Sequence, residues 1–239
     1  MINGIRIANN TKIADKQKLW NTGCRFVYAD VEDNGCLLNV AGDAEFQGFL
    51  FGGLKRLRYF PGAGSGDSQA QNFMVSLSRL PTAKLPPVLE ITTQDGPLPE
   101  LNAWLKQFFK CYSDYTKGGK VVIKASKSII DGIKPIQEIQ DYILANGLWI
   151  YSPSNPIELS PLKFYTLRSY GAKSIEGTMA EWVDVPGTLD QFKAWVNGVA
   201  LRFSTIEVPP VVVPPPVIEL TDSQKIDVIY RAVIRIQTL

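Results

Sequence analysis

Short β-strand patterns alternate with helical patterns along most of this chain, and this alternation constrains the fold more than any other feature. Apolar and β-branched residues form eight candidate strands, at 4–8, 24–31, 56–60, 87–92, 120–126, 148–152, 164–170 and 181–185. Helical spacing of apolar residues occurs at 15–23, 98–112, 135–147 and 188–198. Eight strands mostly separated by helices predict an α/β fold, namely a parallel, TIM-like (β/α) barrel. The last strands lack full helices between them, so we expect an irregular barrel.

An open, doubly wound sheet is the alternative to a barrel. No G-x-G-x-x-G sequence follows the first candidate strand, which disfavours a dinucleotide-binding sheet. The glycine-rich segment 61–67, PGAGSGD, lacks the Lys-Ser/Thr pair of a P-loop. We interpret it as a loop rather than a phosphate cradle.

The composition changes after Gly198. Residues 208–217, VPPVVVPPPV, predict a stiff polyproline II spacer of roughly 30 Å. We therefore expect three parts: a barrel over 1–203, a Pro-rich linker over 204–219 and a short helix over 220–239.

The C-terminal segment has the pattern of an association helix. It begins with a capping box, Thr221-x-x-Gln224. Its apolar residues repeat at the a and d positions of a coiled coil: Ile226, Ile229, Val233 and Ile236. We expect this helix to form a homo-oligomer or to dock onto an assembly protein; a helix that folds back on the barrel is the alternative.

Composition excludes several kinds of chemistry. The chain has no histidine, which removes histidine-based triads and histidine–metal sites. Its three cysteines, Cys24, Cys36 and Cys111, lack metal-site spacing, and we expect reduced thiols. The formal charge of +2, without a Lys/Arg run, does not favour a nucleic-acid partner. We expect no metal and no cofactor.

The sequence carries no export or membrane signal that we recognise. The start, MINGIRIANN, lacks a basic stretch followed by an apolar core, so we expect no signal peptide. No apolar run reaches the length of about 18 residues that a membrane span requires. The expected location is cytoplasmic or virion-associated.

One candidate strand carries an isolated carboxylate. In PPVLEITT, residues 86–93, period-2 alternation places Glu90 and Thr92 on the same side. A glutamate in such a strand is costly to bury unless it is paired or used. The simple interpretation is a strand-end glutamate satisfied by solvent or a nearby arginine.

Seven segments in order resemble the family 25 glycoside hydrolases, which are phage and bacterial muramidases. The resemblance covers roughly residues 3–198. The segments are GIRIANN, KLWNTGCRFVYADVED, GGLKRLRYFPGAGSGDSQAQNF, LPPVLEIT, LWIYS, FYTLRSYG and EWVDVPGTLDQFKAW. The resemblance implies an irregular β/α barrel whose carboxylates lie at the top, where barrel enzymes keep their catalytic groups.

The resemblance also implies which positions held the catalytic chemistry. The fourth-strand D-x-E of the family, whose Glu donates the proton to the leaving sugar oxygen, aligns with Glu90 and Thr92. The first-strand Asp aligns with Arg6, and a late-strand Asp is retained as Asp184. A threonine hydroxyl is too weak an acid for this step, and a nearby Arg6 would hold Glu90 ionised. We therefore expect a catalytically degenerate barrel.

Two further cations stand at positions where the family has uncharged residues. Lys124 replaces a Tyr, and Arg168 replaces the Gln of W-Q-Y. One interpretation is a pocket for an anionic ligand such as a phosphate or a uronate. We favour the other, in which these cations and Arg6 plug the old cleft through ion pairs with the available acids: Glu90, Asp184 and either Asp30 or Glu32.

Aromatic residues at strand ends are candidates for sugar stacking, although packing is their commoner role. Tyr59 matches the strand-three Tyr of the family, whereas we interpret Trp149 as structural. The full set of candidate binding residues is Arg6, Tyr59, Thr92, Lys124, Arg168 and Tyr170.

These observations predict a catalytically degenerate muramidase-like barrel. We expect it to act as a binding module for peptidoglycan or another glycan, or as a structural module, for example in a phage particle. The alternative is an active peptidoglycan hydrolase, an N-acetylmuramidase that uses Glu90 and Asp184. A purely architectural protein without a ligand site is the third hypothesis.

Overall fold

The computed structural model describes residues 1–8, 11, 13–31, 48–59, 64–78, 84–94, 98–133, 136–151, 164–197 and 203–204. Its strands are β1 (Ile2–Ile7), β2 (Cys24–Asp30), β3 (Leu50–Tyr59), β4 (Val88–Gln94), β5 (Val122–Ala125), β6 (Leu148–Tyr151), β7 (Phe164–Tyr165), β8 (Leu167–Ile175), β9 (Thr178–Val185) and β10 (Phe203–Ser204). Its helices are α1 (Lys16–Asn21), α2 (Gly66–Ser78), α3 (Leu98–Thr116), α4 (Lys127–Ile133), α5 (Gln137–Asn146) and α6 (Leu189–Val196). The predicted helix at 220–239, and all of the predicted linker except Ser204, lie outside the described residues.

Eight strands close into a barrel in the order β1-β2-β3-β4-β5-β6-β8-β9. The irregular α/β barrel that the sequence predicts is therefore confirmed. The parallel arrangement is wrong at one strand, because β9 runs antiparallel to both β8 and β1. Glu176 and Gly177 alone separate β8 from β9, whereas parallel neighbours need a crossover of about a dozen residues or more. Both residues have positive φ, 47° and 78°, as a two-residue hairpin turn requires.

The sequence-based elements differ from the structure at three other places. The range 164–170 contains two strands, and the first of them, β7, pairs with β10 in a separate two-stranded sheet. Helix α2 begins at Gly66, inside the segment that we interpreted as a loop. The buried apolar side chains of this helix are Ala70 and Phe73, so its sequence shows only a weak helical repeat of apolar residues. The short helix α4 has no counterpart among the predicted helices.

Large aromatic side chains fill the interior of the barrel. Phe26, Tyr28 and Trp149 are fully buried, and the ring centroids of Tyr28 and Trp149 lie 5.2 Å apart. The Phe26 ring occupies space left by Gly4 on the neighbouring strand, where a Cβ atom would lie 2.3 Å from the ring. The interior is thus a packed core, as in other β/α barrels, and a ligand would be bound at an end of the strands.

Helices cover the outer face of the strands. The largest apolar cluster packs α3, through Trp104, Leu105 and Phe108, against β4, β5 and α5. Helix α6 begins at the predicted capping box, in which Thr188 and Gln191 each accept a hydrogen bond from the backbone N–H of the other. None of the helices in the described residues combines the length and the apolar character that crossing a membrane requires.

Candidate functional site

Six charged side chains meet inside the top of the barrel, the end at which the parallel strands finish. They come from six strands and alternate in sign around the barrel, and we call them the charge network: Arg6, Asp30, Arg56, Glu90, Lys124 and Glu181. Strand register brings them together. Arg56, Glu90 and Lys124 are direct neighbours across β3, β4 and β5. Glu181 of β9 lies opposite Arg6 of β1.

Arg6 is the centre of the charge network. Its Nε and Nη2 donate hydrogen bonds to the two carboxylate oxygens of Asp30, at 2.8 and 3.1 Å. Nη2 also donates to Glu90 Oε2 at 2.9 Å, and Nη1 donates to Glu181 Oε2 at 2.8 Å. All four side chains are nearly buried. One planar guanidinium with five N–H donors therefore satisfies three buried carboxylates at once.

The other two cations complete the pairing. Lys124 Nζ lies 3.1 Å from Glu90 Oε1 and 2.9 Å from Glu181 Oε2. Arg56 Nε donates to Glu90 Oε2 at 2.8 Å, and Arg56 Nη2 lies 3.1 Å from Asp30 Oδ2. Every carboxylate of the network consequently has at least two cationic partners.

The charge network holds two of its carboxylates ionised. Burial alone would raise the pKa of Glu90, but the charges of Lys124 and Arg6 lower this pKa below its ordinary value. Burial would likewise raise the pKa of Glu181, but its charged neighbours, mainly Lys124, lower it below the ordinary value. Burial also opposes the charge of Arg6, yet the hydrogen bond to Asp30 and the nearby carboxylates raise the pKa of Arg6. Glu90 and Glu181 therefore have no proton to donate at neutral pH.

Glycoside cleavage places a demand on carboxyl pKa values that Glu90 and Glu181 do not meet. That reaction needs one carboxyl group that stays protonated beside the leaving oxygen, and a second carboxylate opposing it. A proton donor of this kind has a raised pKa, whereas the network lowers the pKa of Glu90 and Glu181. No group of acidic, histidine or cysteine side chains among the described residues is arranged to hold a metal ion.

Asp184 lies on the other face of β9. Glu181 and Val183 face the barrel interior, so alternation directs Asp184 outwards. There it accepts a hydrogen bond from the Tyr170 hydroxyl, and Arg168 lies opposite it on β8. Burial raises the pKa of Asp184, against the opposing effects of Tyr170 and Arg168. The guanidinium carbon of Arg168 lies 4.2 Å from the centroid of the Tyr170 ring.

The structure brings together three of the residues that the sequence singles out. Arg6, Glu90 and Lys124 meet in the charge network. Asp30, one of the two acids suggested as an internal partner, joins them. The other acid, Glu32, lies outside the described residues.

Three other candidates do not join the network. Asp184, Arg168 and Tyr170 form a separate cluster on the outer face of the barrel, so Asp184 does not lie beside the fourth-strand carboxylate. The side chains of Tyr59 and Thr92 lie outside the part of the chain that the structure describes.

Sequence reasoning missed two members of the network, Arg56 and Glu181. Both are within candidate strands, and alternation places Arg56 on the same face of β3 as Leu54. It likewise places Glu181 on the same face of β9 as Val183. Which face of each strand points inwards follows from the strand pairing in the structure, so the sequence alone offered no signal that separates these two residues from charged residues on the outer face.

Comparison with solved structures identifies the fold. The muramidase from Acremonium alcalophilum superposes with a TM-score of 0.67 and 20% identity, over 83% of this chain and 100% of that chain. A bacterial lysozyme from Streptomyces coelicolor gives 0.65 and 19%, over 83% and 98%. A family 25 glycosyl hydrolase from Bacillus anthracis gives 0.64 and 16%, over 81% and 93%. The barrel therefore has the fold of the family 25 hydrolases.

Sequence comparison gives no such relationship. No protein-family model matches the chain, and no curated protein sequence does. At 16–20% identity the structural likeness shows the fold alone.

Replacing Arg6 with methionine tests whether the charge network depends on this guanidinium. Methionine leaves three buried carboxylates with fewer partners, so the free energy of unfolding at pH 7 should fall by about 3–5 kcal/mol. The lowered pKa values mean that the stabilisation is present at neutral pH and is lost as the pH falls through the folded-state values. The cost of the substitution should therefore shrink below about pH 4. Chemical denaturation of both proteins at pH 7 and at about pH 3.5 measures the loss of unfolding free energy and its decrease in acid.

Lys110→Met is the matched control for this experiment. Lys110 is exposed on α3 and pairs with Asp114, so its loss should leave the stability nearly unchanged at both pH values. An Arg6→Met protein as stable as the parent at pH 7 would show that the network does not depend on Arg6.

Proposed function

We propose that this chain is a muramidase-fold barrel that does not hydrolyse its ligand and that serves as a cell-wall glycan-binding or structural module. The observation that carries the proposal is the position of Arg6 among Asp30, Glu90 and Glu181. By the resemblance described above, family 25 hydrolases have an aspartate at the position of Arg6.

The protonation of the acids supports the loss of hydrolysis. Lys124 and Arg6 lower the pKa of Glu90, and chiefly Lys124 lowers that of Glu181, although burial acts in the opposite direction. Asp184 has a raised pKa, but it faces away from the network and binds Tyr170. The loss of a general acid alone costs about 10²–10⁴-fold in rate.

The ligand class rests on the structural neighbours. They include proteins described as muramidases and as a bacterial lysozyme, which supports peptidoglycan as the glycan that this barrel contacts.

The C-terminal pattern supports a second element of the proposal. Apolar residues at a and d spacing are typical of helices that associate, so we propose that residues 220–239 oligomerise the protein or tether it to an assembly such as a phage particle.

An assay on purified cell walls tests the absence of hydrolysis. The turbidity of a wall suspension should stay constant and no reducing ends should be released, while the protein sediments with the walls if it binds them. A working muramidase serves as the positive control. Clearing by the parent protein that disappears in Glu90→Gln would overturn the proposal and establish the alternative function, an active peptidoglycan hydrolase.

The double variant Arg6→Asp with Thr92→Glu tests whether the two substitutions account for the lost activity. It removes the central cation and supplies a carboxyl group at the position that aligns with the proton donor of the family. Crowded carboxylates raise one another's pKa, so slow wall clearing should become measurable. Thr92→Gln in the Arg6→Asp background is the control, because it matches the size of glutamate without its acidity. A folded but inactive double variant would favour a barrel that is closed to glycans.

Light scattering tests the role of the C-terminal segment. The full chain should have a larger mass per particle than one chain, whereas a variant ending at residue 205 should be monomeric. Replacing Ile229 and Val233 with aspartate in the full chain is the matched control, because it removes the apolar repeat and keeps the length. Equal masses per chain for all three proteins would exclude self-association.

A further inference from the structure

Arg56 differs from the other members of the charge network in its exposure to solvent. Its side chain is 54% exposed, whereas those of Arg6, Lys124 and the three carboxylates are 6–13% exposed. Of the six, Arg56 is therefore the residue that an approaching ligand can contact without disrupting the network.

The hydrogen bonds of Arg56 leave one edge of its guanidinium available. The edge formed by Nε and Nη2 points at Glu90 Oε2 and Asp30 Oδ2. A guanidinium has five N–H donors, and these two contacts use two of them. Within the described residues, the opposite edge, formed by Nη1 and the second N–H of Nη2, makes neither a hydrogen bond nor an ion pair.

From this geometry we infer that the top of the barrel binds a saccharide that carries an oxyanion, a carboxylate or a phosphate, and that the Nη1–Nη2 edge of Arg56 is its contact. The inference rests on the proposed glycan-binding function and names the class of glycan. Two parallel N–H groups match the two oxygens of a carboxylate or phosphate, which gives the stronger, bidentate form of this interaction.

The charge network prepares Arg56 for this contact. Its three cations balance its three carboxylates, so an incoming anion meets no excess negative charge from the six residues. Asp30 and Glu90 pair with the guanidinium of Arg56. Both acids also accept hydrogen bonds from Arg6. A donor pair that is already fixed loses less conformational entropy when it binds.

The test measures binding of four related sugars to the full chain by NMR, with backbone amide resonances as the reporter, because these exist in the parent and in every variant. N-acetylmuramic acid carries a carboxylate and N-acetylglucosamine 6-phosphate carries a phosphate, whereas N-acetylglucosamine is neutral and glucosamine is cationic. One or both anionic sugars should bind at least about tenfold more tightly than the neutral sugar. Comparing the two anionic sugars shows whether the carboxylate or the phosphate is the preferred group.

Three variants assign the contact to Arg56. Arg56→Gln should remove the preference for anionic sugars, and Arg56→Lys should retain part of it, because lysine keeps the charge without the paired donors. Lys110→Gln, which removes an exposed cation from α3, should leave the affinities unchanged. Because Arg56 is half exposed, both substitutions at this position should preserve the fold, which thermal unfolding checks.

Several outcomes would overturn the inference. They are equal affinity for neutral and anionic sugars, unchanged affinities in Arg56→Gln, or preferential binding of glucosamine, which would mean that a ligand cation displaces Arg56. These results are distinguishable from failure of the proposed function. Wall clearing would refute the absence of hydrolysis whichever sugar binds, whereas a non-hydrolytic protein without anionic preference would refute this inference alone.

Discussion

The upper half of the barrel depends on one guanidinium. Three carboxylates, from Asp30, Glu90 and Glu181, point into the interior from three strands, and ionised groups buried to this extent are strongly destabilising unless they are paired. Arg6 is the residue that contacts all three, while Arg56 and Lys124 each contact two. Arg6 on β1 thus links three acids that come from three different strands, and large aromatic side chains fill the barrel interior.

The interactions that stabilise this region also lower the pKa of two of its acids. A glycosidase needs a carboxyl group in a setting that disfavours its charge, so that the group stays protonated at working pH. Burial supplies such a setting for Glu90 and Glu181, but Lys124 and Arg6 reverse its effect. On the outer face of β9, by contrast, burial raises the pKa of Asp184 by more than the Tyr170 hydrogen bond and the charge of Arg168 lower it. The cations that contact Glu90 and Glu181 outweigh burial, whereas the partners of Asp184 do not.

Alternation of strands and helices was enough to predict the barrel, whereas the site could be predicted in part. The pairing of Arg6 with Glu90 follows from two strand patterns and one resemblance, and the structure contains it. The position of Asp184 could not be derived in this way. Barrel strands are buried on both faces, so the polarity of EWVDV does not reveal which residues face inwards. A change of one residue in the strand register would turn Asp184 inwards and Glu181 outwards. Strands β8 and β9 extend to Ile175 and from Thr178, beyond the candidate strands at 164–170 and 181–185, so the two-residue turn that makes β9 antiparallel did not follow from these patterns.

The alternating signs of the network also restrict how its sequence can change. Removing Arg6 leaves three acids with too few cations, and removing Glu90 takes away an acid that three cations share. Any single change at a buried position thus leaves a buried charge without full compensation, which is among the costliest effects of a point substitution. Arg56 is the exception, because solvent can hydrate the groups that its removal exposes. Changes at the five buried members of the network are consequently expected to occur as coupled substitutions, whereas Arg56 can change by itself.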